Sequence, residues 1–288
     1  MIRIVEVGPR DGLQNEKTII PTEAKVAFID ALSLCGVTEI EVSSFVSPKW
    51  VPQLADAALV FRQITRQPAV AYSALVPNDA GLARAIEAQA DRVAVFTAAS
   101  ETFTRRNINA TIAESIARFR SVIQDSPVPV RGYVSTAWHC PYEGPIAPPA
   151  VLPVCLTLLE LGCHHLSIGD TIGKANPDEV SALLDLLLVH IRPDQIALHF
   201  HDTFGHAVAN VERGYAHGIR NFDSSAGGIG GCPYAPGATG NVSTQALATI
   251  FSTASPIDMA KLETASALLR PWLSPPGGNK LPAVPRAE

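Results

Sequence analysis

The sequence predicts a (β/α)8 TIM barrel, and three observations carry that expectation. Eight short strand-like runs recur along the chain with helical patterns between nearly all of them, and such alternation makes a parallel sheet. The eight units occupy roughly 250 residues, the size of one closed barrel. Polar residues collect where the strands end, which is where a barrel places its chemistry. An open doubly wound sheet would scatter those ends along an edge. Residues 1–288 read as one such domain, with a Pro-rich tail from about Pro271.

The runs are 2–7, 37–42, 69–76, 92–97, 128–136, 165–168, 195–201 and 219–224. Between them lie ordinary helix signals. Thr22 precedes a helix that stops near Gly36, and Asn78 precedes 82–90. Another helix ends near Leu161 and meets Gly162, Pro177 opens 178–190, and the one after residue 206 stops at Gly218.

Composition narrows the class of protein. Of 288 residues, 47% are hydrophobic and 17% charged, enough for a large core. A net charge of -5 carries no nucleic-acid footprint. Five cysteines, odd in number and without a CxxC pair, suit free thiols in a reducing compartment. No run approaches the ~20 apolar residues of a membrane span. The chain enters a strand at Ile2 with no signal or transit pattern before it, so a cytoplasmic location is expected.

The stretch LHFHDTFGHAVAN (198–210) carries the strongest chemical signal. His199 and His201 alternate along a strand end, so both imidazoles face one side. A lone His there would be a core residue; a pair beside further donors is a metal site. Asp11, in the loop GPRDGLQ after strand one, supplies a carboxylate, although an aspartate before Gly12 is also common in plain turns. Two imidazoles and a carboxylate suit a divalent catalytic ion. The oxygen-rich surroundings of Gln14, Glu41, Asp170 and Asn241 favour Mg²⁺ or Mn²⁺ over zinc.

Arg10, beside the ligand, is placed to meet an oxyanion. Glu41 and Asp170 end polar strands and act as proton carriers or as supports for the ligands. Asp202 and Asp223 read as structural. The Gly-rich stretch 226–241 lacks the spacing of a dinucleotide fingerprint, because Cys232-Pro233 intervenes, and reads instead as a lid. Cys232 at its tip is the candidate proton-transfer thiol; Cys140, in the same Cys-Pro-Tyr triplet, is the weaker one. His206 and His217 are expected on the helix after the His pair, facing solvent.

Several long segments together resemble the 3-hydroxy-3-methylglutaryl-CoA lyase family. They are VEVGPRDGLQNE (5–16), IEVSSFVSPKWVPQLAD (40–56), FTAASETFTRRNIN (96–109), RGYVS (131–135), CPYEG (140–144), SIGDTIGKANP (167–177), HFHDTFGHAVAN (199–210) and GGIGGCPYAPGATGN (227–241). The resemblance implies metal ligation by Asp11, His199 and His201, with Asn241 close enough to join them. It implies that Arg10 stabilises a thioester enolate, that Cys232 is the loop thiol, and that Glu41 and Asp170 support the site. His199 or Asp11 is the candidate base. It further implies Mg²⁺ or Mn²⁺, cleavage to acetoacetate and acetyl-CoA, an acyl-CoA partner and a homodimer. Lys17, with Gln14 and Ser44, is the expected contact for the carrier.

Trp138 and His139 depart from the family, standing where small residues are usual. That departure keeps longer 3-substituted glutaryl-CoA esters and citramalyl-CoA open as substrates. A Claisen-type synthase of the same superfamily, an amidohydrolase barrel and a non-catalytic acyl-CoA-binding barrel are the other readings. The amidohydrolases carry their HxH on strand one; here it lies on strand seven.

Overall fold

In the computed structural model, residues 2–230 and 240–273 are described. Eight parallel strands close into a barrel in chain order. They are β1 (Arg3–Glu6), β2 (Glu39–Ser44), β3 (Ala71–Leu75), β4 (Arg92–Ala98), β5 (Val130–Ser135), β6 (His165–Asp170), β7 (Ile196–Phe200) and β8 (Asn221–Ser224). β8 returns to pair with β1, Ile4 opposite Phe222 and Val5 opposite Asp223. The barrel expected from the alternation is the one observed.

Side-chain alternation divides the strands into two environments. Ile40, Tyr72, Val93, Val95, Val134, Leu166, Ile168, Leu198, Phe200 and Phe222 join one apolar cluster with the helix residues Phe28, Leu158, Leu183 and Val211. Among the intervening residues, Glu39, Glu41, Ser73, Arg131, Ser167, His199 and Asp223 are buried and polar, beside a small apolar cluster of Leu75, Ala94 and Tyr133. A barrel interior usually carries branched apolar layers. Here it carries ion pairs, and the helix–sheet layer supplies the hydrophobic stabilisation.

Among the described residues the helices are α1 (Thr22–Ser33), α2 (Ala57–Gln63), α3 (Asp79–Glu87), α4 (Glu101–Ile108), α5 (Ile112–Asp125), α6 (Pro148–Leu161), α7 (Pro177–Leu187), α8 (Ala207–Ala216), α9 (Thr244–Ile250) and α10 (Met259–Leu269). Local chemistry sets their ends. Asn176 caps α7 and Glu179 reaches back to its backbone, a reciprocal box that fixes the start of the helix. Gly162, at φ 116°, stops α6 in the left-handed region. Gly214 lets α8 lie directly on β7, since a Cβ there would come within 2.3 Å of Leu198.

The sequence boundaries shift in a few places. The helix after Asn78 starts at once, with Asn78 Oδ1 accepting from Gly81 N, and covers Asp79–Glu87 rather than 82–90. Thr22 is the first residue of α1, not its cap. α7 ends at Leu187, short of the expected 190. His206 precedes α8 and is exposed, whereas His217 follows it, half-buried, bonded to the Arg213 carbonyl at 2.9 Å. A two-residue hairpin, His139–Cys140 with Gly144–Pro145, follows β5 and had no signal in the sequence. The Pro-rich tail lies outside the described residues from 274 onward. No helix among the described residues is long and apolar enough to cross a membrane.

Glu6, wholly buried outside the barrel wall, ties the two ends of the chain together. Its Oε1 accepts from Gly8 N at 2.8 Å and Ala226 N at 2.9 Å, and its Oε2 accepts from Thr244 Oγ1 at 2.6 Å. Burial outweighs these donors and pushes its carboxyl up to about 7. A raised carboxyl stabilises the fold while it stays protonated. That contribution is complete below pH 4.5 and is lost as the pH rises through 7. Denaturant unfolding of wild type should therefore lose on the order of 3 kcal/mol across that window. In Glu6→Gln, which cannot ionise, the loss should be clearly smaller; an identical pH profile would show that Glu6 does not titrate there.

Candidate metal centre and active site

The segment after β1 winds into one wide helical turn, Gly8–Gly12. Gly12 N and Leu13 N bond back five residues, to Val7 O at 3.2 Å and Gly8 O at 3.1 Å. Such π-turns hold an extra residue per turn and recur at functional sites. Here the turn sends Arg10 and Asp11 over the mouth of the barrel. β2 contributes a second irregularity, a bulge between Glu41 and Ser43, next to Glu41 at the site.

Asp11 faces both histidines. Its Oδ2 lies 3.9 Å from Nε2 of His199 and 3.9 Å from Nε2 of His201. One donor atom from each of these residues falls within 4.8 Å of the others, a group able to hold a metal ion. The imidazoles share a face, as the i, i+2 spacing requires, with ring centroids 5.0 Å apart. His201 sits one residue past the end of β7 and pairs with Asn241 through a single antiparallel bridge.

Each imidazole uses its other nitrogen as an anchor. His199 Nδ1 meets Asp223 Oδ2 at 3.2 Å, and His201 Nδ1 meets the Asp170 carbonyl at 3.0 Å. Both Nε2 atoms are thereby aimed at Asp11, the arrangement that orients imidazole ligands in metal sites. Burial, then the neighbouring His199, pushes His201 down to about 4, so at neutral pH it presents a lone pair. Burial works against charge on Asp11, but Arg10 and the two histidines outweigh it and hold the carboxyl at about 2.

Asn241 supplies the test of fit. Its Nδ2 donates to Asp11 Oδ2 at 2.8 Å and to Ile229 O at 3.1 Å, while its Oδ1 is buried without a partner. A buried amide oxygen is seldom left unbonded. An oxygen donor beside two imidazoles and a carboxylate fits a hard divalent cation.

Arg10 is buried and held at both edges. Its Nη1 donates to Asp11 Oδ1 at 2.8 Å and its Nε to Glu41 Oε2 at 2.6 Å. Gln14 donates to the same Asp11 oxygen at 2.8 Å. Tyr133, which the sequence reading passed over, donates to Glu41 Oε2 at 3.1 Å and lies under the Arg10 guanidinium, 5.2 Å away. Its place in a strand motif, RGYVS, gave no cue beyond core packing. Burial raises Glu41 above its usual range despite Arg10.

Other residues singled out in the sequence fall elsewhere. The Asp170 carboxylate accepts from Lys174 N at 3.1 Å and Ala175 N at 2.9 Å, so its side chain holds the loop after β6 while its carbonyl orients His201. Burial pushes that carboxyl up to about 6. Ser44 is buried in the rim, where its hydroxyl donates to Leu75 O at 3.3 Å and accepts from Val46 N at 3.2 Å. Lys17 is exposed on the loop after the π-turn. That loop is clamped by Gln53, whose Nε2 donates to Glu16 O at 3.3 Å and Thr18 O at 2.8 Å.

Asp202 caps α8 through Ala207 N at 3.0 Å, as a structural residue would. Asp223 is buried on Arg131 and Ser167, as a structural residue would be, and also touches His199. Trp138 turns towards α7, its Nε1 donating to Glu179 O at 3.2 Å, and packs on Phe200. His139 follows it, Nε2 to Glu179 Oε1 at 3.0 Å. Cys140 is buried, with Ser100 Oγ at 3.1 Å and Tyr142 N at 3.4 Å on its sulfur. Cys232 lies outside the described residues, as does most of the Gly-rich stretch.

Comparison with known proteins agrees with this geometry. Residues 1–269 match the family model HMGL-like. The chain is 50% identical over 249 residues to 3-hydroxy-3-methylglutaryl-CoA lyase, cytoplasmic, of Rattus norvegicus, covering 85% of this chain and 73% of that protein. The crystal structure of the HMG-CoA lyase from Brucella melitensis superposes with a TM-score of 0.92 at 48% identity, over 94% of this chain and 98% of that one. An HMG-CoA lyase from Acinetobacter baumannii, solved with coenzyme A and 3-methylmalate, gives a TM-score of 0.89 at 40% identity, over 93% and 91% of the two chains. With a family model spanning nearly the whole barrel and relatives at this level of identity, the chain belongs to the HMGL-like family.

Proposed function

We infer that this protein is a lyase that cleaves 3-hydroxy-3-methylglutaryl-CoA to acetoacetate and acetyl-CoA, the reaction of leucine breakdown and ketone-body formation. One observation carries the reading. The Asp11–His199–His201 cluster, with Arg10 against it, stands in a chain half identical to a lyase named for that substrate. Asp11, His199, His201 and Asn241 would hold the metal, with Mg²⁺ or Mn²⁺ preferred because two of the four donors are hard oxygens. A divalent ion bound there lowers the pKa of the substrate's tertiary hydroxyl and neutralises the charge that develops.

The remaining work falls to side chains. Arg10 cannot release its proton and is fixed in plane by Asp11 and Glu41, so it meets the thioester enolate oxygen without reorganising. Glu41 is kept in reach of that guanidinium by Tyr133. Of the two candidate bases, His199 has Nδ1 on Asp223 and Nε2 on the metal side, so Asp11 takes the hydroxyl proton, and Cys232 returns a proton to the carbon that becomes the acetyl methyl. Cys140 is buried and its sulfur accepts from Ser100 Oγ and Tyr142 N, which supports Cys232 as the thiol. Asp170 acts through the loop and the ligand it holds, not on the substrate.

Coenzyme A in the Acinetobacter relative supports an acyl-CoA partner. Lys17, exposed on the loop after the π-turn, is the residue we assign to the carrier phosphates, together with Gln14 and Ser44. Trp138 and His139 turn towards α7, which supports the same acyl chain. We read the protein as one domain over 1–288, a homodimer, working in the cytoplasm.

Purified protein should release acetoacetate and acetyl-CoA from 3-hydroxy-3-methylglutaryl-CoA when Mg²⁺ or Mn²⁺ is added. Acetyl-CoA consumed with a keto acid instead would identify a synthase. Exhaustive chelation should abolish turnover, and His201→Ala should weaken metal binding. Full activity in excess chelator would rule the metal reading out.

Arg10→Lys keeps the charge but loses the planar fork. Its kcat should fall by roughly 10²-fold or more, the scale of one lost oxyanion donor, with KM little changed. A normal kcat with a greatly raised KM would make Arg10 a binding residue instead.

A further inference from the structure

Three groups on three different strands converge on the Asp223 carboxylate inside the barrel. Arg131 of β5 donates through Nη2 to Oδ1. Ser167 of β6 donates to Oδ2 at 2.7 Å, and His199 of β7 meets the same oxygen through Nδ1 at 3.2 Å. Asp223 is 1% exposed and Arg131 7%. The Arg131 guanidinium also lies over the Tyr133 ring at 4.9 Å, on the ring that Arg10 approaches at 5.2 Å. Its buried Nε makes no hydrogen bond. The guanidinium is therefore oriented for Asp223 at the expense of its own satisfaction.

A neutral imidazole carries its proton on one nitrogen and a lone pair on the other. Only His199 with the proton on Nδ1 leaves a lone pair on Nε2, the atom that faces Asp11. A carboxylate beside Nδ1 accepts and so selects that tautomer. His201 obtains the same result from a backbone carbonyl, which needs no countercharge. The two ligands thus differ in kind: one is set by main chain, the other by an ion pair buried below the site.

We propose that Arg131 and Asp223 are a positioning pair that holds His199 in its metal-binding tautomer and thereby sets the affinity of the centre for a divalent cation. The proposal rests on the metal reading above. Neither residue meets the ion or the substrate. Arg131 fixes the carboxylate by occupying Oδ1, and a buried carboxylate stripped of its partner does not keep its place. An amide at 223 can present an N–H to His199 Nδ1 and favour the opposite tautomer, with Nε2 protonated and unable to ligate.

The test is two measurements on Asp223→Asn, Arg131→Lys and wild type. In metal-free protein, the ¹⁵N shifts of the His199 ring report which nitrogen carries the proton, independently of any metal. Wild type should be protonated on Nδ1, and Asp223→Asn should shift towards Nε2. Mn²⁺ titration should then show affinity weakened by roughly 10–100-fold in Asp223→Asn, the range for lost outer partners of a ligand, with a smaller loss in Arg131→Lys. Thermal unfolding of the metal-free proteins identifies a variant that has not folded, and Arg131→Lys, which keeps the charge, then carries the test. A wild-type His199 protonated on Nε2, or unchanged Mn²⁺ affinity in folded variants, would overturn the proposal. Failure of wild type to bind Mn²⁺ while the tautomer result holds would instead overturn the metal reading.

Discussion

The ion pair between Arg10 and Asp11 is the contact on which the rest of the site depends. Two adjacent residues with opposite charge are turned by one wide helical turn so that both point into the barrel mouth. From them a circuit runs through buried groups. Arg10 binds Glu41, Glu41 accepts from Tyr133, and Tyr133 lies against Arg131. Arg131 binds Asp223, Asp223 holds His199, and His199 faces Asp11 again. Each charge touches its opposite. That is the condition under which a low-dielectric interior tolerates ions at all, and breaking one link leaves an uncompensated charge behind. The arrangement gives a rigid set of dipoles, which is what electrostatic stabilisation of a transition state requires.

Polar groups inside the barrel leave stability to the outer layer. Helices and outward strand residues form one continuous apolar cluster, while the inward residues of the same strands are largely polar. The division lets substitutions inside the barrel act on chemistry while the helix–sheet layer keeps the fold. It also explains why the circuit is not visible in overall composition, where 17% charged residues looks unremarkable.

Much of this was legible in the chain. Periodicity gave the eight strands, because two-residue and 3.6-residue repeats follow from backbone geometry alone. The i, i+2 histidines and the aspartate of GPRDG were legible for the same reason: strand geometry fixes which side chains share a face, and barrel closure brings strand ends together. What stayed hidden is set by tertiary approach. Asp223 reads as one more acid near a strand end, and only packing puts Arg131, ninety-two residues away, on its other oxygen. Tyr133 reads as core until its hydroxyl is seen on Glu41. Asp170 reads as a site carboxylate, yet its oxygens face two amides in its own loop and its contribution to the site is its carbonyl.

The Glu6 junction carries a consequence for the order in which the molecule assembles. Its acceptors hold Gly8 from one end of the chain and Ala226 and Thr244 from the other, at sequence separations of 220 and 238. Asp11 and Asn241 are 230 apart. Contacts of such separation form late, since loop-closure entropy opposes them until the intervening chain is ordered. During synthesis the first strands emerge well before their closing partners exist, and β1 waits with an open edge until β8 arrives. The nascent barrel is therefore blind to its metal: no cation can be gripped, and no half-formed centre can act, until the ribosome has delivered the chain through Asn241.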